Sequence, residues 1–108
     1  MFCVTIANEV NSLTIETFNP FLESDFRARL EPDGLVIDLR LIEVRPLGRQ
    51  PNAPRAEPFA LVFAGPAQPR LEQRIYGLDH DRLGSIEIFL VPIGFDPGGG
   101  LLYEAVFN

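Results

Sequence analysis

Lysine is absent from this chain: all nine basic residues are arginines, set against fifteen acids. We read the bias chiefly as codon usage in a GC-rich genome, although arginine also makes the better bidentate pairs. The net charge of −6 argues against nonspecific nucleic-acid binding, whose affinity comes from neutralising phosphates. Cysteine is almost missing as well. Cys3 stands alone, so no internal disulfide can form and nothing points to an oxidising compartment. The opening "MFCVTIANEV" has neither a basic flank nor a sustained apolar run, and is expected to be neither a signal peptide nor a lipoprotein leader. No stretch approaches the roughly 20 apolar residues of a spanning helix. No membrane partner is expected, and a soluble cytoplasmic protein is the default.

Residue types that carry chemistry are equally scarce. His80 is the single histidine, flanked by Asp79 and Asp81. The three suggest a metal site or an acid/base group, but neighbours on a strand point alternately, and one imidazole with two turn carboxylates falls short of a usual zinc set. A turn histidine bonded to local backbone is the favoured reading. Ser12, Ser24 and Ser85 lie in no nucleophile-elbow context. "PGGG" lacks the lysine and the following helix of a phosphate loop. No catalytic residue, metal ligand or cofactor is therefore expected.

What is present describes one small β domain. At 108 residues, 46% apolar and 22% charged, the chain has the size and composition of a single globular unit. Prolines and glycines fall in clusters between short apolar-alternating runs, the pattern of turns joining strands. "LTIETFNPFLES" is the exception: Ile15, Phe18 and Leu22 have helical spacing, Thr14 suits a cap and Pro20 limits the length. A short helix or turn covering one end of the core is expected there, with strand as the alternative.

From Asp25 the period is two. Phe26, Ala28 and Leu30 face one way, Arg27 and Arg29 the other, and "EPDG" (Glu31–Gly34) turns the chain. In "LVIDLRLIEVR" the apolar phase slips after Leu41 to Ile42 and Val44, which predicts a bulge at Leu41–Ile42. "FALVFAG", "LEQRIYGLDH", "SIEIFLVPIG" and "LLYEAVFN" complete about six strands. The expected fold is all-β, an antiparallel sandwich or small barrel over residues 13–108, preceded by an N-terminal arm at 1–12.

Two stretches stand out as partner-binding candidates. Arg45, Arg49 and Arg55 lie in or beside the proline-rich segment Arg45–Pro58, in a region of net positive charge within an acidic chain. They read either as a docking loop or as solubilising charges paired with acids on adjacent strands. In Ser85–Gly94, Ile86, Ile88 and Leu90 supply one apolar face while Phe89, Val91 and Ile93 supply a second. That second face is covered by Ile15, Phe18, Phe21 and Leu22 of the N-terminal segment, the reading we favour, by the long proline-rich loop, or by another subunit. Pro92 indicates an edge or a bulge, since it cannot donate to a ladder, and an edge beside apolar surface suits self-association.

The run from "LTIETF" (Leu13–Phe18) through "LIEVRPLG" and "EPFALVFAGP" (Glu57–Pro66) to "IEIFLVPIG" and "YEAVFN" resembles a family of small bacterial proteins known only as a domain of unknown function. Its members are often encoded beside phage-tail-collar-like proteins. The resemblance implies a structural or assembly role around a tail-like particle or fibre, with a tail-like structural protein as partner, and supplies no catalytic residues. The expectation is a non-enzymatic interaction or assembly protein. The alternative is a small-molecule-binding barrel with its site near Tyr76, Tyr103 and His80.

Overall fold

The computed structural model describes residues 13–30, 34–48 and 58–107. The expected arm at 1–12 and the middle of the proline-rich segment lie outside them. The described chain begins with a one-turn helix α1 (Ile15–Phe18) and a 3-10 turn (Asn19–Phe21). Six strands follow: β1 (Asp25–Leu30), β2 (Leu35–Pro46), β3 (Phe59–Gly65), β4 (Arg74–His80), β5 (Gly84–Phe95) and β6 (Leu101–Phe107). Every neighbouring pair is antiparallel, and the order β1-β2-β3-β6-β5-β4 closes through a β1–β4 ladder. Of the two all-β architectures, this chain forms the barrel.

Period-two alternation explains the interior. Phe26 and Ala28, Leu39 and Leu41, Phe59, Leu61 and Phe63, Tyr76 and Leu78, Ile88 and Leu90, and Tyr103 and Phe107 all point inward and join one buried cluster. An eight-stranded barrel is only just wide enough for side chains to fill. With six strands, phenylalanines, tyrosines and leucines take up the interior.

β2 and β5 each run for twelve residues and serve two neighbours in turn. Leu35–Arg40 pairs with β1 and Arg40–Pro46 with β3, with a register shift between Leu41 and Glu43 that leaves Ile42 unmatched. This is the bulge that the phase slip predicts. Gly84–Leu90 pairs with β4 and Val91–Phe95 with β6, with a second shift between Pro92 and Gly94. Each bulge bends its strand from one ladder to the next, which is how a small sheet turns a corner. The pairing map is unchanged when β1-β2-β3 is exchanged with β4-β5-β6, a symmetry that no sequence repeat announces.

A single crossover, residues 66–73, links the two halves. Both tyrosines hold it. The Leu71 N–H donates to the Tyr103 hydroxyl at 3.0 Å, and the Tyr76 hydroxyl donates to the Glu72 carbonyl at 2.7 Å. Leu71 itself is buried in the core. Tyr103→Phe should therefore strand a buried N–H and lower unfolding free energy by about 1–3 kcal/mol. Urea denaturation checks this, and an unchanged midpoint would mean that the crossover is held by other contacts.

The helix sits where β3 begins and β6 ends. Thr14 is its N-cap, and the Thr14 N–H donates to Thr17 Oγ1 at 3.0 Å. Phe18 is fully buried, its ring 5.9 Å from that of Phe59 and 5.8 Å from that of Phe107, which stack on each other at 4.6 Å. The expected end cover is thus present, but the favoured cover for the second face of β5 is not. α1 closes the barrel mouth because the Phe59–Phe107 stack would otherwise open to water there.

Candidate interaction surface

Arg45 is held down. From β2 its guanidinium reaches across the outside of β3 to pair with Glu104 on β6, and Nη1 lies 3.6 Å from Glu43 Oε1. Beneath this arch are Ala60 and Val62, both buried although they point away from the barrel axis. Of the two readings of Arg45, pairing with acids is the one observed, although the partners are Glu43 on its own strand and Glu104 two strands away rather than acids on an adjacent strand. Arg49 and Arg55 lie outside the described residues.

The second face of β5 is open. Phe89 is 48% and Ile93 47% exposed, while Val91 is half-buried opposite Glu104. The surface extends beyond the three residues named from the sequence. Ile75 lies directly across the ladder from Phe89 and is 56% exposed, Val106 on β6 is 49% exposed, and Phe95 at the end of β5 is 82% exposed. Ile75 could have been found from its own strand, since "RIYGLDH" puts Tyr76 and Leu78 inside and therefore Ile75 outside. Val106 is placed outside by its pairing with Ala60 of β3, while Phe95 pairs with the core-facing Leu101 and stands exposed at the end of the strand.

Pro92 marks a boundary in this surface. The β4 ladder ends at Arg74 opposite Leu90, so among the described residues no strand pairs with the β4 side of Val91–Phe95. Proline at the middle of that stretch removes a donor and the bulge bends it, two devices that blunt an edge against strand addition. What this candidate surface offers is accordingly side chains rather than a strand edge ready for pairing.

The other side of the barrel, around β1 and β4, is charged. Arg29 Nη1 bonds Asp79 Oδ1 at 2.8 Å, Ser85 Oγ donates to the same oxygen at 2.6 Å, and Arg27 bonds Asp81 at 2.8 Å. Gly77, register partner of Arg29, leaves the space in which that guanidinium lies; a Cβ there would collide with it. Both aspartates flanking His80 are thus engaged outward, as their alternation requires, and the described residues contain no cluster able to hold a metal.

His80 points inward, 6% exposed, with its ring 4.7 Å from Phe21 and 4.4 Å from Phe26. Its Nδ1 accepts from the backbone N–H groups of Arg82 (3.1 Å) and Leu83 (3.3 Å), the local turn bonding expected of it. Its Nε2 lies 2.9 Å from Ser24 Oγ, a serine–histidine distance that on its own would suit nucleophile activation. The direction of the bonds is the reverse. Ser24 Oγ donates its proton to the Phe21 carbonyl at 2.5 Å, so Nε2 must carry the hydrogen and the serine must accept it. A ring wired this way is no base toward Ser24. Burial lowers the His80 pKa first of all; Asp81 opposes the shift, while Arg27 and Arg82 add to it. Burial likewise raises that of Tyr76, partly offset by Arg74, whose guanidinium lies 5.1 Å from the ring centre. Tyr76, Tyr103 and His80, the residues named for a ligand site, all spend polar atoms on the fold.

Residues 13–107 match the family described as a domain of unknown function (DUF6916). The chain belongs to this family. The match begins at Leu13, beside the cap of α1, and ends with β6, so the DUF6916 unit coincides with the barrel and its helix. No curated protein and no solved structure matches the chain.

Proposed function

We propose that this chain is a non-enzymatic interaction or assembly protein that engages a protein partner through the outer apolar wall of β4, β5 and β6. The observation that carries the reading is that Ile75, Phe89, Ile93 and Val106 are exposed large apolar residues on those three strands, with Ile75 and Phe89 paired directly across the β4–β5 ladder. Exposed apolar side chains brought together on one face are unfavourable in water and mark interaction sites on soluble domains. The filled interior supports the same reading, because it leaves the outside of the barrel to do the binding. The resemblance to small bacterial proteins encoded beside phage-tail-collar-like proteins favours a tail-like structural protein as the partner, met in the cytoplasm before assembly.

The test is capture of a tail-like structural protein from the native host by wild type and by an Ile75→Asp/Phe89→Asp double variant, at low and high salt. Capture should survive high salt with wild type and fall by about tenfold to a hundredfold with the variant, the loss expected for a buried apolar anchor. Circular dichroism should show an intact fold, since both side chains are half exposed. Equal capture by the two proteins would remove this wall from the reading. Capture lost at high salt but unaffected by the variant would move the contact to the arginines.

A further inference from the structure

His80 is bonded so that only its neutral form satisfies every partner. The Nε2 hydrogen goes to Ser24 Oγ, and Nδ1 receives two backbone hydrogens from the turn that joins β4 to β5. A proton on Nδ1 would face two donors. The ring has no room to turn elsewhere, being packed between Phe21 and Phe26.

We propose that His80 is a proton-operated latch: protonation at Nδ1 releases the turn at 81–83 and loosens the barrel mouth that α1 and Phe21 close. The charged groups around it define the released arrangement. In the turn itself, Asp81 is held by Arg27 of β1, and the Arg82 guanidinium lies 5.8 Å from the Phe21 ring centre. On β4, Asp79 is occupied by Arg29 and Ser85. Ahead of and at the start of β1, Glu23 and Asp25 each lie 3.7 Å from Arg40 of β2. On β5, Glu87 lies beyond the core-facing Ile86, and on α1 the acid is Glu16 in the first turn. Asp81 is the carboxylate next in the chain and the one that the turn can bring to a protonated Nδ1. To reach the ring it must leave Arg27, and the N–H groups of Arg82 and Leu83 must leave Nδ1. The latch thus has two exclusive sets of bonds, one for each protonation state.

The direction of the pH effect follows from burial. The folded pKa lies below the ordinary 6.5, so between the two values the unfolded or released chain binds the proton that the latched state refuses. The latch is fully stabilised above 6.5 and weakens as pH falls through that window.

Because His80 is the only histidine, its imidazole carbon–proton signal is unambiguous in an NMR titration. Amide protection at Arg82 and Leu83, corrected for intrinsic exchange, is followed in the same samples from pH 8 downward. The imidazole should titrate below 6.5, and protection of those two amides should fall at least tenfold in step with it, while core amides such as Leu39 and Leu61 stay protected. His80→Gln should make the protection at residues 82 and 83 independent of pH; if that variant fails to fold, the wild-type titration still decides. Titration at the ordinary value with unchanged protection would overturn the proposal. Loss of core protection at the same pH would overturn it too, since acid would then be unfolding the whole barrel.

Discussion

Replacing Phe18 with alanine lowers the unfolding free energy by about 3–5 kcal/mol, the usual cost of deleting a fully buried aromatic ring. Little in the local sequence would suggest so large an effect, since α1 is four residues long and an isolated helix of that length has no stability of its own. The helix exists because Phe18 docks on the stacked rings of Phe59 and Phe107. Removing it leaves a void at the barrel mouth and detaches the segment that carries Phe21 and Ser24. For a domain whose whole stability is of order 5–15 kcal/mol, the loss should appear as a large fall in the urea midpoint with little change in slope. A loss below about 1 kcal/mol would place the helix among surface decorations.

The second large effect is expected at Gly100. A Cβ at this position would fall far inside contact distance of the Gly65 carbonyl oxygen, and neither group can move without shifting β3 or β6, whose register begins at Gly65 and Leu101. Gly100→Ala should cost about 1–3 kcal/mol or more through this overpacking of backbone against side chain. Gly99→Ala next to it serves as the comparison. Its Cβ would meet nothing, but its φ of 110° strains any other residue, so its cost is conformational. Urea denaturation of the two variants distinguishes the mechanisms if the β3–β6 amide shifts move in the first alone. Unchanged shifts in Gly100→Ala would show that the approach of the two strands is relaxed at little cost.

Local patterns in the sequence carried most of the secondary structure and the facing of its side chains. Alternation sorted the two faces of β1 and the first half of β2, and the slip after Leu41 located the first bulge, because one residue out of phase turns a whole strand over. The second bulge was half legible through Pro92. What alternation cannot carry is which strand lies beside which. Sandwich or barrel is decided by the β1–β4 and β3–β6 ladders, which join residues from 36 (Gly65 and Leu101) to 52 (Arg27 and Asp79) positions apart. The same distance hid the fate of individual side chains. Arg45 could be read as a docking or a paired charge, and only the fold names Glu104, two strands away, as its partner; His80 found Ser24 fifty-six positions upstream. Phe89 and Ile93 were legible as a second apolar face because their own strand shows it. That α1 would go to the mouth rather than to that face depended on Phe59 and Phe107 meeting there.

The exchange symmetry of the pairing map bears on how the chain could be divided. A single half, β1-β2-β3 or β4-β5-β6, is a bent three-stranded sheet with both outer edges bare. Each bare edge is filled by the equivalent piece of the other half, β1 by β4 and β3 by β6. The barrel is therefore a closed dimer in its strand pairing and a monomer in its covalent bonds, and the link at 66–73 joins the halves while lending Leu71 to their common core. Severing that link would leave two fragments with complementary ends, and folding would become a bimolecular encounter that depends on concentration.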